Sequence, residues 1–148
     1  MLKKKFDEFI WSPNKLPLVF DIIQRLGFFF YWIFDNIQIL ASIKFITADP
    51  AYNLKLASLG WFVGCVFGIA RHVYDILEQL NKKPEEINKK VIMKNIIDII
   101  GKLGDTLISA NGLGITEKIL GKGFHDGILG LCGLVASLVS LYNLYPKK

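Results

Sequence analysis

The chain has 148 residues, a length suited to one domain, and 52% of them are hydrophobic, above the roughly 45–50% usual for soluble domains. Its 18 Lys and Arg outnumber 13 acids for a net charge of +5, at a mean hydropathy of +0.38. The lysines gather at the ends of apolar segments and form no basic stripe interleaved with aromatics, which argues against nucleic acid as a partner. The two cysteines, Cys65 and Cys132, lie singly within apolar runs, which argues against a metal cluster or disulfide framework.

Residues 1–15 form a basic, aromatic lead-in punctuated by Pro13 and Pro17. Asp7 and Glu8 interrupt its charge and no small-residue cleavage site follows, so it is not expected to be a cleavable signal. A helical pattern begins near Leu18. Its centre, Phe28-Phe29-Phe30-Tyr31-Trp32-Ile33-Phe34, suits a membrane–water boundary or a large buried contact. Asp35 sits inside this apolar segment, where a charge is costly and needs a partner or a proton. Arg71, Lys44 or another chain are the candidate partners; a place in an ion pathway is the sharper alternative. Thr47-Ala48-Asp49-Pro50 ends the helix, because the residue before a proline avoids helical dihedrals.

The second helix is expected over about 52–80 and carries Gly60, Gly64 and Gly68. Four-residue spacing puts all three on nearly one stripe, where a second backbone can come close. In water three interior glycines would cost about 1 kcal/mol each relative to Ala. In a bilayer, where van der Waals packing drives association, the stripe is reasonable. The uncharged stretch between Lys55 and Arg71 is short for spanning, and snorkelling of those two side chains would extend it. Residues 81–86 read as a linker.

The third helix, about 85–110, places Ile92, Ile96, Ile99, Ile100, Leu103 and Leu107 at helical spacing among Lys90, Lys94, Asp98, Lys102 and Asp105. It reads as amphipathic and not spanning, its stripe laid on neighbouring helices or on a membrane surface. Residues 111–123 form a Gly-rich loop, which is no phosphate loop because neither Ser nor Thr follows Lys122.

The fourth helix starts near Phe124, and residues 127–146 carry no formal charge, long enough to cross about 30 Å of hydrocarbon. Gly127, Gly130, Gly133 and Ala136 recur every third residue, and Ser137 follows Gly133 by four. Helices two and four are therefore expected to meet glycine face to glycine face. His72 lies near Asp75 and His125 beside Asp126, but no nucleophile accompanies either pair, so both histidines read as boundary or capping residues. No catalytic, metal or cofactor site is expected, bound lipids aside.

The whole chain, 1–148, thus reads as a single all-α domain, an integral membrane four-helix bundle with two or three spanning helices and one amphipathic helix. A soluble bundle burying the same apolar surface is the alternative. If helices one, two and four span, residues 1–25 and 71–123 share one side, which the positive-inside rule places in cytosol or matrix. If only two and four span, both termini share a side.

Three stretches carry a family resemblance. Leu26-Gly27-Phe28 through Asp35-Asn36-Ile37 is an apolar segment ending in an Asp-Asn pair; residues 61–75 form an apolar helix leaving the membrane at a basic residue; and Asp126-Gly127-Ile128-Leu129-Gly130 through Tyr142 is a glycine-rich apolar helix. Together with 98–114 they resemble the peroxisomal biogenesis factor 11 family, peroxins that elongate peroxisomal membranes before division. The resemblance is to the family's C-terminal body without its N-terminal amphipathic region. It implies a non-enzymatic structural membrane protein. As a pared-down relative it would be an accessory or scaffold subunit of a large organellar complex, in the mitochondrial inner membrane or the peroxisomal membrane. The alternatives are a peroxisomal elongation factor and a small channel or carrier with Asp35 in its path. The partners implied are lipids and other membrane helices, in a hetero-oligomeric complex or a homo-oligomer.

Overall fold

Short polar side chains and prolines mark where the helices begin. The computed structural model describes residues 15–145, so the lead-in, Lys15 excepted, lies outside the described residues. The helices are α1 (Leu16–Ser42), α2 (Pro50–Leu80), α3 (Lys89–Gly112), α4 (Ile115–Leu120) and α5 (Asp126–Leu144), with a single 3-10 turn at Pro84–Glu86. Asp49 caps α2, its carboxylate accepting from the amides of Ala51 (2.9 Å) and Tyr52 (3.3 Å), while Pro50 supplies a first-turn residue that needs no donor. Asn88 caps α3 in the same way, accepting from Lys90 and Val91. His125 caps α5, its Nδ1 accepting from Gly127 N at 3.1 Å.

The expected loop over 111–123 is more structured than its glycines suggest. Asn111 and Gly112 belong to α3, and α4 lies inside the segment between Gly114 and Gly121, both at φ 72°. That left-handed backbone suits glycine and turns the chain sharply at each end of α4. The Asn111 carboxamide oxygen accepts from Thr116 Oγ1 and Phe124 N, both at 2.8 Å, and ties the turn back to the end of α3.

The four long helices alternate in direction and pair in chain order: α1 with α2, α2 with α3, and α3 with α5. The expected pairing of helices two and four does not occur. In the structure these are α2 and α5, and α3 stands between them. The fourth side of the bundle, between α1 and α5, is open.

The interior is built from small residues. Its buried apolar side chains are Ala41, Ala57, Cys65, Ala110 and Ala136, and its buried polar ones are Asn53, Ser58, Asn95, Ser109 and Thr116. Among the described residues no Leu, Ile, Val, Met or aromatic side chain is buried. Many of those residues are exposed, Trp32 at 67% and Leu131 at 62% among them, and the others are half-buried between helices. A soluble domain places its large apolar side chains inside and seldom exposes contiguous apolar patches of this extent. The soluble alternative therefore fails, and the chain is a helical membrane bundle. Among the described residues three helices, α1, α2 and α5, are long and apolar enough to cross a membrane.

The stripe on α3 also departs from expectation. Ile96, Ile100, Leu103 and Leu107 do not rest on neighbouring helices but point outward, all at least 39% exposed. The α3 face that packs is its small and polar one, with Asn95, Gly101, Gly104, Ser109 and Ala110 buried. In lipid, which solvates an aliphatic stripe as well as another helix would, small residues give the closer helix contact.

A side chain inserted at a packed glycine should therefore cost far more than one at an exposed glycine of equal helical context. Gly60→Ala should lower the thermal midpoint of the protein in detergent, the overpacking costing about 1–3 kcal/mol. Gly130, which has nothing within 4 Å of an added methyl, should tolerate Ala and gain up to about 1 kcal/mol of helix propensity. Differential scanning fluorimetry of the two variants checks both signs; equal shifts would contradict the packing described.

Candidate functional site: a glycine interface and a polar cleft between helices

α1 and α2 come close enough for backbone to meet backbone at facing glycines. A methyl group added at Gly27 would stand 2.6 Å from Gly64 N and 2.8 Å from Gly60 O; one added at Gly60 would stand 2.7 Å from both Gly27 O and Tyr31 N. Those are backbone atoms, which cannot swing aside. Gly64 faces Gln24 O and the Phe28 ring, both 3.3 Å from an added methyl. Aromatic pairs flank the contact along the helices: Phe20 with Phe67 (6.1 Å between centroids) and Tyr31 stacked on Trp61 (5.3 Å). Such ring pairs add about 0.5–1.5 kcal/mol beyond area burial.

The other residues singled out from sequence fall in different places. Gly68 continues the stripe, but there the Lys102 side chain of α3, 2.8 Å from an added methyl, takes the space in place of the α1 backbone. Ala136 is buried at 5% exposure and lies on Gly104 of α3, which would meet Cys132 O at 2.6 Å if it carried a methyl. Gly133 touches Ile108. Gly127, Gly130 and Ser137 are exposed, Gly127 beside the His125 ring. Three packing glycines, Gly27, Gly101 and Gly104, were not singled out in the sequence. Gly27 is a lone glycine in an aromatic run, and Gly101 and Gly104 are three apart among charged residues, so none makes a four-residue repeat within an apolar stretch.

A polar thread crosses the bundle near one end. Arg71 of α2 pairs with Asp75 one turn on, and its Nε lies 3.4 Å from Asp21 Oδ1 of α1. These two acids hold Arg71, one of three candidate partners for Asp35 alongside Lys44 and another chain; Asp35 is not among the acids it pairs with. The guanidinium is thus neutralised locally and does not reach out to extend a short span. His72 Nδ1 donates to Asn95 Oδ1 of α3 at 2.7 Å and stands 4.0 Å from Asp98 Oδ2. His72 therefore looks across to α3, not to Asp75 on its own helix. Asn95 Nδ2 donates to Val91 O at 3.0 Å, and Asn143 Nδ2 of α5 donates to Asp98 Oδ1 at 2.5 Å. Asp21, Arg71, His72, Asn95, Asp98 and Asn143 so link all four long helices.

Beside this thread a cleft of about 270 Å³ opens between α1 and α5, lined by Gln24, His72, Asp98, Lys102, Asp105 and Ser140 among others. Lys102 reaches across it, its Nζ 5.4 Å from the centroid of the Phe28 ring on α1, a cation–π distance. Among the described residues no group of three or more His, Cys, Asp or Glu side chains is placed to hold a metal ion.

Outward-facing large apolar side chains, a small-residue interior and a confined polar thread define a helical integral membrane protein. The chain matches the peroxisomal biogenesis factor 11 (PEX11) family over residues 3–145, and it belongs to that family. It is 22% identical over 165 aligned positions to the peroxisomal membrane protein 11 homolog of Dictyostelium discoideum, a match covering 92% of this chain and 65% of that protein. It is 23% identical over 159 positions to the peroxisomal membrane protein PMP30B of Candida boidinii, covering 84% of this chain and 60% of the relative. The chain thus spans less than two thirds of the length of each. No solved structure matches it. Neither relative's name points to a mitochondrion, so the accessory-subunit reading in a mitochondrial membrane has no support.

The thread predicts a graded stability effect. Asn95→Leu removes the acceptor for His72 and should destabilise the detergent-solubilised protein by about 0.6–2 kcal/mol, the range for interhelical polar contacts in membranes. Asn36→Leu, which breaks only a bond to Trp32 O on an exposed face of the same helix, should cost less. Comparing the two thermal midpoints checks the difference.

Proposed function

We propose that the chain is a peroxisomal membrane protein that shapes its membrane without catalysis, elongating peroxisomes before they divide. Membership of the peroxisomal biogenesis factor 11 family is the observation that carries this reading, and both named relatives are peroxisomal membrane proteins. The physical form agrees with it. Work on a bilayer needs a rigid body with a large lipid-facing area. The aromatic run of α1, with Phe29, Phe30 and Trp32 turned outward, supplies that area, while the glycine contact with α2 supplies rigidity. Oligomers with further membrane helices are part of the proposal, since exposed aromatic and aliphatic faces fit either lipid or another helix. Asp35 has no part in it.

The test is to express the fluorescently tagged chain in cells carrying a peroxisomal matrix marker and a mitochondrial marker. The tag should coincide with the peroxisomal marker, and overproduction should lengthen peroxisomes. Gly64→Leu, which wedges α1 from α2, should abolish the lengthening. Coincidence with mitochondria and unchanged peroxisomes would overturn the proposal.

A further inference from the structure

Between Asn95 and Asn111 the exposed residues of α3 are Ile96, Ile100, Leu103 and Leu107, all large aliphatics. The charged residues of the same stretch, Asp98, Lys102 and Asp105, are all turned at least partly inward and line the cleft. This is the reverse of a helix resting on a membrane surface, which keeps its charges in water. It is the arrangement of ionisable residues inside a membrane, where they face the bundle interior or a water-filled cavity.

Register sets the depth of α3. Gly112 lies against Ser58, Gly68 against Lys102, and His72 against Asn95, so α3 runs antiparallel beside the uncharged stretch of α2 over 56–70. On its other side Gly133 lies against Ile108, Gly101 against Val139, and Asp98 against Asn143, so α3 also runs beside most of α5. Both partners are apolar enough to span. A helix locked in register between two spanning helices lies at their depth. At 24 residues and about 1.5 Å per residue, α3 is long enough for a hydrocarbon core of about 30 Å. Its first turns carry Lys89, Lys90 and Lys94, level with Arg71 and His72, where a headgroup boundary belongs.

We propose that α3 crosses the bilayer as a fourth span, its aliphatic stripe against lipid acyl chains and its charged face lining a polar cleft within the membrane. The flanking helices expose the same kind of side chain, Leu59 and Val66 on α2 and Leu131 and Leu138 on α5, and α3 lies in register between them, which is why lipid is its occupant. Composition alone hides the span, because its charges lower the hydropathy of the segment while facing inward.

The four-span topology puts Lys83 and Lys122 on opposite sides of the membrane; two-span and three-span topologies put them together. Single variants Lys83→Cys and Lys122→Cys of the full chain, in sealed membrane vesicles, are exposed to a membrane-impermeant maleimide before and after permeabilisation. The wild type serves as the blank for Cys65 and Cys132. One variant should label at once and the other only after permeabilisation. Labelling of both at the same stage would overturn the proposal. Ile100→Cys should not cross-link to a second copy under oxidation; efficient cross-linking would assign the stripe to a second copy of this chain and overturn its exposure to lipid. Neither measurement depends on which organelle holds the protein or on whether it elongates membranes.

Discussion

Everything in this molecule depends on how near one backbone comes to another. Gly27, Gly60 and Gly64 let α1 and α2 approach until main-chain atoms touch; Gly104 does the same for α3 against the Cys132 carbonyl of α5, and Gly101 makes room there for the Val139 side chain. In water such a contact would compete poorly with burying leucine and phenylalanine. In lipid, burying leucine gains little, and dispersion between closely apposed backbones is what remains to hold helices together. The distribution of side chains follows from that one constraint. Alanine, serine, glycine and asparagine fill the centre, and the bulky residues are left to the surroundings.

The polar thread supplies specificity where the glycine contacts supply proximity. Glycine surfaces are smooth and tolerate sliding. Links such as Arg71 to Asp21, His72 to Asn95 and Asn143 to Asp98 exist in one register only. Each joins a different pair of helices, so the three together set the relative height of all four. Their position also has a topological meaning. The start of α1, the end of α2, the start of α3 and the end of α5 meet at one end of the bundle, as strict alternation of direction requires.

Much of this was legible in the residues themselves. The helices, their approximate ends and the membrane character follow from apolar runs broken by Asp49-Pro50 and by the 81–86 linker, and His125, read as a boundary or capping residue, caps α5. The family was legible too, because long apolar segments retain a recognisable order. The pairing of helices was not. A stripe of small residues shows that something comes close but not what, and Gly64 and Gly68, one turn apart, face different helices. The orientation of α3 was illegible for a related reason. Periodicity shows that its aliphatic and charged residues lie on different sides, and it is the surrounding medium that decides which side turns inward. Asp35 illustrates the opposite failure: a charge conspicuous in the sequence, while the acids that hold Arg71 are Asp21, at the start of α1, and Asp75, one turn away.

The open side between α1 and α5 has a mechanical consequence. Three walls of the bundle are helix–helix interfaces and the fourth is a gap. α5 is therefore hung from α3 alone, like a door on a single jamb. Swinging it outward breaks no helix–helix interface, only widening a space already lined by groups that tolerate water. Lateral stress that parts α5 from α1 would widen this gap, whereas stress that parts α1 from α2 would have to separate backbone brought together at Gly27 and Gly60.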